Sequence, residues 1–301
     1  MDNITRRNFF SRSLAIGAGL SSLPLISPSK LNSAARPTKD DISLAEWSLV
    51  RDLRKGKFTN LDMPRICREE FDINGLEFVN TFFENPISQY LQRLKRNADN
   101  NGVQLVLIMV DSEGEMAAAT KEERMQAVIN HRKWIDIAHF LGCHAIRTNC
   151  RGPKDASAED TLNYAEESFN YILEYASQAQ INVIIENHGG LSSDPDFLVS
   201  LMKRINSPDF GTLPDFGNFP DDIRTEAIRK VVPYAKGISV KTYYTKEGTH
   251  PAFDVEALVK MCHNEGYRGF YGIETEGREL DSFEQIRLTK KAIERALWGK
   301  E

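Results

Sequence analysis

The sequence predicts a single (β/α)8 barrel of the α/β class, and three observations carry that prediction. Eight short apolar runs of strand length recur along the chain, and a helical pattern follows each of them. Once the N-terminus is set aside, each strand–helix unit takes about 33 residues, the size of one unit of such a barrel. Several runs are apolar throughout, Val103-Gln104-Leu105-Val106-Leu107-Ile108-Met109-Val110 being the longest. Strands covered on both faces read this way, as in a buried parallel sheet.

The strands are expected at Ile42–Leu49, Gly75–Phe83, Val103–Asp111 and Ala145–Asn149, then at Asn182–His188, Phe210–Phe216, Gly237–Thr242 and Gly269–Glu276. Helix starts are marked between them. Thr120-Lys121-Glu122-Glu123 is a capping box, in which Thr120 and Glu123 satisfy free amides. Asp194-Pro195 sets a cap residue before a proline that loses nothing in the first turn. Ile286, Ile293 and Leu297 form one apolar stripe on the last helix. A doubly wound open sheet is the rival, but it would carry a Gly-rich phosphate loop after an early strand. Val50-Arg51-Asp52-Leu53-Arg54 follows the first strand instead, so neither a dinucleotide fingerprint nor a P-loop stands there.

The N-terminus reads as an address. Arg6-Arg7 precedes a weakly apolar stretch from Leu14 to Ile26, with a small-residue cleavage site at Ser33-Ala34-Ala35. This looks like a twin-arginine export signal over residues 1–35, leaving a barrel domain over 36–301 and placing the mature protein in the periplasm. The apolar stretch is too short and too rich in Gly and Ser for a stable membrane span. The chain has 301 residues, 41% apolar and 27% charged, with a net charge of −5. Cleavage after Ala35 leaves 34 basic and 42 acidic residues, a net charge of −8. A nucleic-acid partner wants a basic footprint, so none is expected. The four Cys show no C-x-x-C spacing, which excludes a zinc ribbon or a vicinal redox pair. Nothing in the sequence specifies the oligomeric state.

Chemistry is signalled by acids at strand ends. Glu186 follows Val183-Ile184-Ile185, Asp215 follows Leu213-Pro214, and Glu274 follows Gly272-Ile273. The C-terminal ends of barrel strands line the active-site mouth, and an unpaired charge directly after an apolar run is expensive unless it has a task. Convergent carboxylates repel one another unless a proton or cation sits between them. Arg147 in Ala145-Ile146-Arg147-Thr148-Asn149 is placed to hold a substrate oxygen or to pair with one of the acids.

The segments IIENHGG, LPDFGN and YGIETEG, with GISVKTY as a weaker fourth, make the chain resemble the xylose isomerase-like barrels, the sugar phosphate isomerase/epimerase superfamily. The resemblance runs from Trp47-Ser48 to the terminal helix. It implies one divalent metal, Mn²⁺ or Mg²⁺ before Co²⁺ or Zn²⁺, on Glu186, Asp215 and Glu274. It also implies removal of a proton beside a carbonyl through an enediolate held on that metal, with Glu186 and Glu274 as the acid/base pair. His188, two residues past Glu186, polarises the carbonyl, shuttles a proton, or supports from behind. Trp47, Glu77, Arg147, Asn218 and Lys241 are the candidate substrate contacts.

The resemblance has a departure. Many such barrels place a His on the seventh strand, where this chain has Ser239 followed by Lys241. Two arrangements stay open: a three-carboxylate metal site completed by water or His188, or a metal-free site held by Lys241. The expected substrate is a non-phosphorylated sugar or keto-sugar. From a 3-keto-glycoside the same proton abstraction would eliminate the aglycone. A carbohydrate-binding protein without catalysis is the non-enzyme alternative, and a metal-dependent endonuclease fails on charge and on His count.

Overall fold

The computed structural model describes residues 41–300, so the predicted leader and its boundary at Ala35 lie outside the described residues. Eight strands run in parallel: β1 (Asp41–Ala45), β2 (Gly75–Val79), β3 (Gln104–Met109), β4 (Ala145–Thr148), β5 (Asn182–Glu186), β6 (Phe210–Leu213), β7 (Ile238–Thr242) and β8 (Phe270–Thr275). Each pairs with its neighbour in sequence from β1 to β6, while β1 also pairs with β8 and β8 with β7. The remaining seam, between β6 and β7, is crossed by two isolated bridges, Thr212–Ala235 and Asp215–Ser239. The sheet thus closes almost completely on itself, which removes the exposed edges of an open sheet.

Parallel strands need long crossovers, and helices supply them. They are α1 (Val50–Arg54), α2 (Met63–Phe71), α3 (Ser88–Asn101), α4 (Lys121–Leu141), α5 (Ala158–Gln178), α6 (Pro195–Ile205), α7 (Arg224–Val231), α8 (Val255–Asn264) and α9 (Ser282–Trp298). Asp194 caps α6 as its sequence predicts, accepting from the Asp196 and Phe197 amides at 2.8 and 3.5 Å. At α4 the predicted reciprocal box is half formed. Thr120 accepts from the Glu123 amide at 3.3 Å, but the Glu123 carboxylate takes the Thr120 hydroxyl at 2.8 Å, not its amide. None of the described helices is long and apolar enough to cross a membrane. All four cysteines are buried free thiols.

All eight predicted strands are present, but all except β7 end short of the predicted last residue, β1 and β2 by the most. Glu46–Leu49 and Asn80–Phe82 turn into 3-10 helices where Ile42–Leu49 and Gly75–Phe83 read as continuous strands. Side chains replace the lost ladder: Glu46 Oε2 accepts from the Val79 amide at 3.0 Å, and the Asn80 side chain bonds both the amide and the carbonyl of Asp111. Apolarity marks burial, and Glu46, Ser48, Leu49 and Asn80 stay buried after the pairing has ended, while Thr81 is exposed.

Strand parity then sorts the interior. On β7 Ser239 and Lys241 point inward, and Val240 packs outward against the helices. On β8 Gly272 and Glu274 face in while Ile273 faces out, and on β5 Glu186 follows Ile184 inward with Ile185 outward. The outward set forms the large core between sheet and helices. The inward set is apolar at one level, around Val106, Leu107, Ile184 and Leu213, and charged at the C-terminal end.

Candidate active site

Three of the charged inward residues meet. Glu186 ends β5, Asp215 lies just beyond β6, Glu274 is the penultimate residue of β8, and one oxygen of each lies within 4.8 Å of the others. Asp215 is placed by its backbone: its amide donates to Asn187 Oδ1 at 2.7 Å and its carbonyl accepts from Asn187 Nδ2 at 3.0 Å. Ser239 donates to Asp215 Oδ2 at 3.0 Å and stands 3.4 Å from Glu274 Oε2. Lys241 Nζ lies 2.9 Å from Glu274 Oε1 and 3.3 Å from Asp215 Oδ2, beside the trio. Asn218 ties the two sides together, donating to Glu186 Oε1 at 3.0 Å and accepting from Lys241 at 3.2 Å. On the far side, Arg147 Nε faces Glu186 Oε2 at 2.9 Å without the alignment of a hydrogen bond, and Arg147 Nη1 donates to Asp111 Oδ1 at 2.8 Å.

Negative charge is in excess here. Burial pushes the Asp215 carboxyl up to about 8 against the pull of Lys241, with Glu274 and Glu186 adding to the rise. Burial likewise raises Glu186, opposed first by Arg147. Burial alone would lower Lys241, but Asp215, Glu274 and Glu186 together hold its ammonium well above the ordinary lysine range, so it stays charged. Below the trio lies Glu77, fully buried, accepting from Ser43 Oγ at 2.5 Å and pushed up to about 8 by burial. Its carboxylate fits because residue 272 is glycine: a Cβ there would stand 2.5 Å from Glu77 Oε1. Glu77 is therefore a support under the site and not a substrate contact at the mouth. Polarity suggested the mouth, whereas position along the strand decides depth.

Glu46 is a second buried acid, raised to about 8 by burial, with one backbone amide as its partner and Oε1 left without one. The native carboxyl keeps its proton up to about 8, while the unfolded one releases it near 4.5. The native state thus binds more protons over that interval, and its stability falls as pH rises. Glu46→Gln is expected to flatten this dependence and to raise stability at pH 8 by an amount on the order of 4 kcal/mol. Urea denaturation at pH 5 and pH 8 checks it; an unchanged slope refutes it.

Above the trio opens a cavity of about 300 Å³, at the small end of small-molecule sites. Of the predicted residues, Trp47, Arg147, Glu186, His188 and Glu274 line it. Asp215, Lys241 and Asn218 hold the cluster from beneath and beside. Trp47 forms one wall, stacked on Phe82 at 6.0 Å with its indole N–H donating to Glu276 Oε1 at 2.7 Å. The wall also includes Asp111, Asn149, Arg151 and Glu276, which sequence reasoning did not single out. Asp111 carried a readable signal, an acid closing the apolar run of the third strand. Arg151 carried none, since it sits in a loop after β4. His188 does not join the carboxylate trio. Burial lowers its imidazole, with Arg147, Arg151 and Lys241 adding to the effect.

The sequence matches the family described as Xylose isomerase-like TIM barrel over residues 69–298. The chain belongs to that family. No curated protein matches the sequence. Among solved structures, it is similar to the 3-keto-D-glucoside 4-epimerase YcjR from E. coli at 13% identity and a TM-score of 0.69, covering 85% of this chain and 99% of that one. A D-tagatose 3-epimerase-like protein gives 19% identity and a TM-score of 0.69, covering 85% and 98%. A xylose isomerase-like TIM barrel protein from Mycobacterium smegmatis, in complex with magnesium, gives 14% and 0.61, covering 84% and 97%. At these identities the likeness concerns the fold.

The residues present fit a divalent cation. Three carboxylates offer oxygens within a common ion's reach, and Glu186 Oε2 carries no hydrogen bond. An all-oxygen set suits a hard ion such as Mg²⁺ or Mn²⁺. The β7 position holds the hydroxyl of Ser239, whose proton goes to Asp215.

Proposed function

We propose that this chain is a sugar isomerase or epimerase that moves a proton next to a carbonyl of a non-phosphorylated sugar or keto-sugar. One observation carries the reading: Glu186 and Glu274, on strands β5 and β8, open onto one small polar cavity with Asp215 between them. The names of the similar solved proteins, a keto-glucoside 4-epimerase and a tagatose 3-epimerase-like protein, are in keeping with it.

One carboxylate removes the proton from the carbon beside the carbonyl. The other returns a proton to the opposite face, which epimerises, or to the neighbouring carbon, which isomerises. A base works best when its pKa approaches the working pH, and the burial that raises Glu186 acts in that direction. Arg147 and Lys241 prevent the buried acids from being neutralised altogether. Asn218 holds Glu186 and Lys241 in register, and Arg147 and Asn149 face the cavity as donors for substrate oxygens. Glu186, Asp215 and Glu274 would hold a divalent ion, which supplies positive charge where negative charge develops on substrate oxygens.

Solvent-deuterium exchange into candidate keto-sugars, with metal analysis of the purified protein, tests the reading. Exchange at the carbon beside the carbonyl supports it. Sugar binding without exchange for any class of sugar would favour a binding protein. The Trp47 ring in the cavity wall favours one variation, a 3-keto-glycoside whose aglycone rests there and leaves by elimination; release of free aglycone would identify it.

The proposal includes export. Residues 1–35 are read as a twin-arginine leader, so mature protein in the periplasmic fraction is expected to begin at Arg36. Replacing Arg6 and Arg7 together by Lys should hold the precursor in the cytoplasm. N-terminal sequencing of the two fractions checks both outcomes.

A further inference from the structure

His188 is gripped by a residue from the neighbouring loop. Arg151, in the loop after β4, places Nη2 2.5 Å from His188 Nδ1 and donates from Nε to the His188 carbonyl at 3.0 Å. The grip is built from both sides. The Arg151 carbonyl accepts from the Leu191 amide at 2.9 Å, and its own amide donates to Glu115 Oε1 at 2.9 Å. Gly190 makes the approach feasible: its φ is +59°, and a Cβ there would lie 2.4 Å from the Arg151 carbonyl oxygen. On the other loop, the His188 amide donates to Ser192 Oγ at 2.9 Å. The glycine pair after His188 thus lets two active-site loops close on one another.

A guanidinium has donors only and never gives up its proton in a protein. Whatever faces it must accept, so Nδ1 presents its lone pair to Arg151. In a neutral imidazole the proton then sits on Nε2. Nε2 makes no hydrogen bond to any described residue, and the ring lines the cavity.

We propose that Arg151 locks His188 into the Nε2–H tautomer, so that His188 meets the substrate as a hydrogen-bond donor and not as a proton acceptor. Of the three roles the sequence left open, the lock removes proton shuttling, and the cavity-facing ring favours polarising a carbonyl over support from behind. The lock also removes the lone pair with which His188 would complete a metal site. Arg151 is then a positioning residue acting through His188. This rests on the sugar-carbonyl reading only for the oxygen that receives the bond.

The test is the ¹⁵N NMR spectrum of the full chain labelled in histidine, without substrate and near neutral pH, with His188 assigned by its loss in His188→Gln. The expected pattern is one pyrrole-type nitrogen at Nε2 and one pyridine-type nitrogen at Nδ1. In Arg151→Met the two shifts should converge as both tautomers become populated. Where a substrate has been found, kcat should fall by about 10- to 100-fold with KM little changed. A proton on Nδ1 in the unaltered protein overturns the proposal, and so do His188 shifts that ignore the loss of Arg151. Should Arg151→Met not fold, the spectrum of the unaltered protein decides alone. The locked pattern in a protein that exchanges no sugar proton would retain the lock and reject the sugar reading.

Discussion

Glu274→Gln is expected to reduce deuterium incorporation into a keto-sugar substrate by about 10²- to 10⁴-fold, the range by which a positioned acid/base group accelerates proton transfer. The substitution is nearly isosteric. The amide oxygen can still face Lys241, which lies 2.9 Å from Glu274 Oε1. Ser239 is a hydroxyl able to donate or accept, so it can adjust to the new amide group. The fold should therefore survive while the base is lost, and the effect should fall on kcat more than on KM. Glu186→Gln is expected to behave alike, because in the proposed reaction the two acids serve the two ends of one transfer. Exchange at the original rate in both variants would remove these residues from the chemistry. A loss of thermal stability matching the loss of rate would instead mark them as structural.

Lys241→Met should cost about 3–5 kcal/mol of stability, the usual consequence of removing one partner from a buried ionic cluster. The aliphatic stem packs against Gly217, and methionine keeps much of that contact. What disappears is the ammonium set against Asp215 and Glu274. Without it, proton uptake by Asp215 is one way to relieve the repulsion, so the penalty should be larger at pH 8 than at pH 5. A divalent ion bound to the native state offers a second relief. Millimolar Mg²⁺ or Mn²⁺ should return part of the loss, about 2.7 kcal/mol if its concentration reaches a hundred times Kd. Urea denaturation of both proteins, at the two pH values and with or without the ion, reads all of this. Equal stability at pH 8 would contradict the charge argument. A penalty that ignores both pH and ion would reduce Lys241 to a packing role.

The site was legible where one-dimensional pattern and three-dimensional position share a cause. An apolar run that ends in an acid is a buried strand reaching the rim of a barrel, which is why Glu186, Asp215 and Glu274 could be named before any coordinates. Parity carries the same message for Ser239 and Lys241, two residues apart on β7 and both turned inward. Legibility stopped where the decisive quantity was depth or contact between loops. Glu77 and Trp47 have the same claim on paper, yet one is sealed under Gly272 and the other walls the cavity. Arg151 and His188 are separated by a strand and a helix, and no periodicity connects them.

The alternation of apolar runs and helical patterns, and the acids closing three of those runs, followed from the chain alone, because burial and strand parity act on residues close in sequence. Which carboxylate lies above which, what Lys241 touches, and which ring nitrogen of His188 is taken were decided only when the barrel closed. Those are distances between residues far apart in the chain, and packing around Gly272, Gly190 and Asn218 sets them.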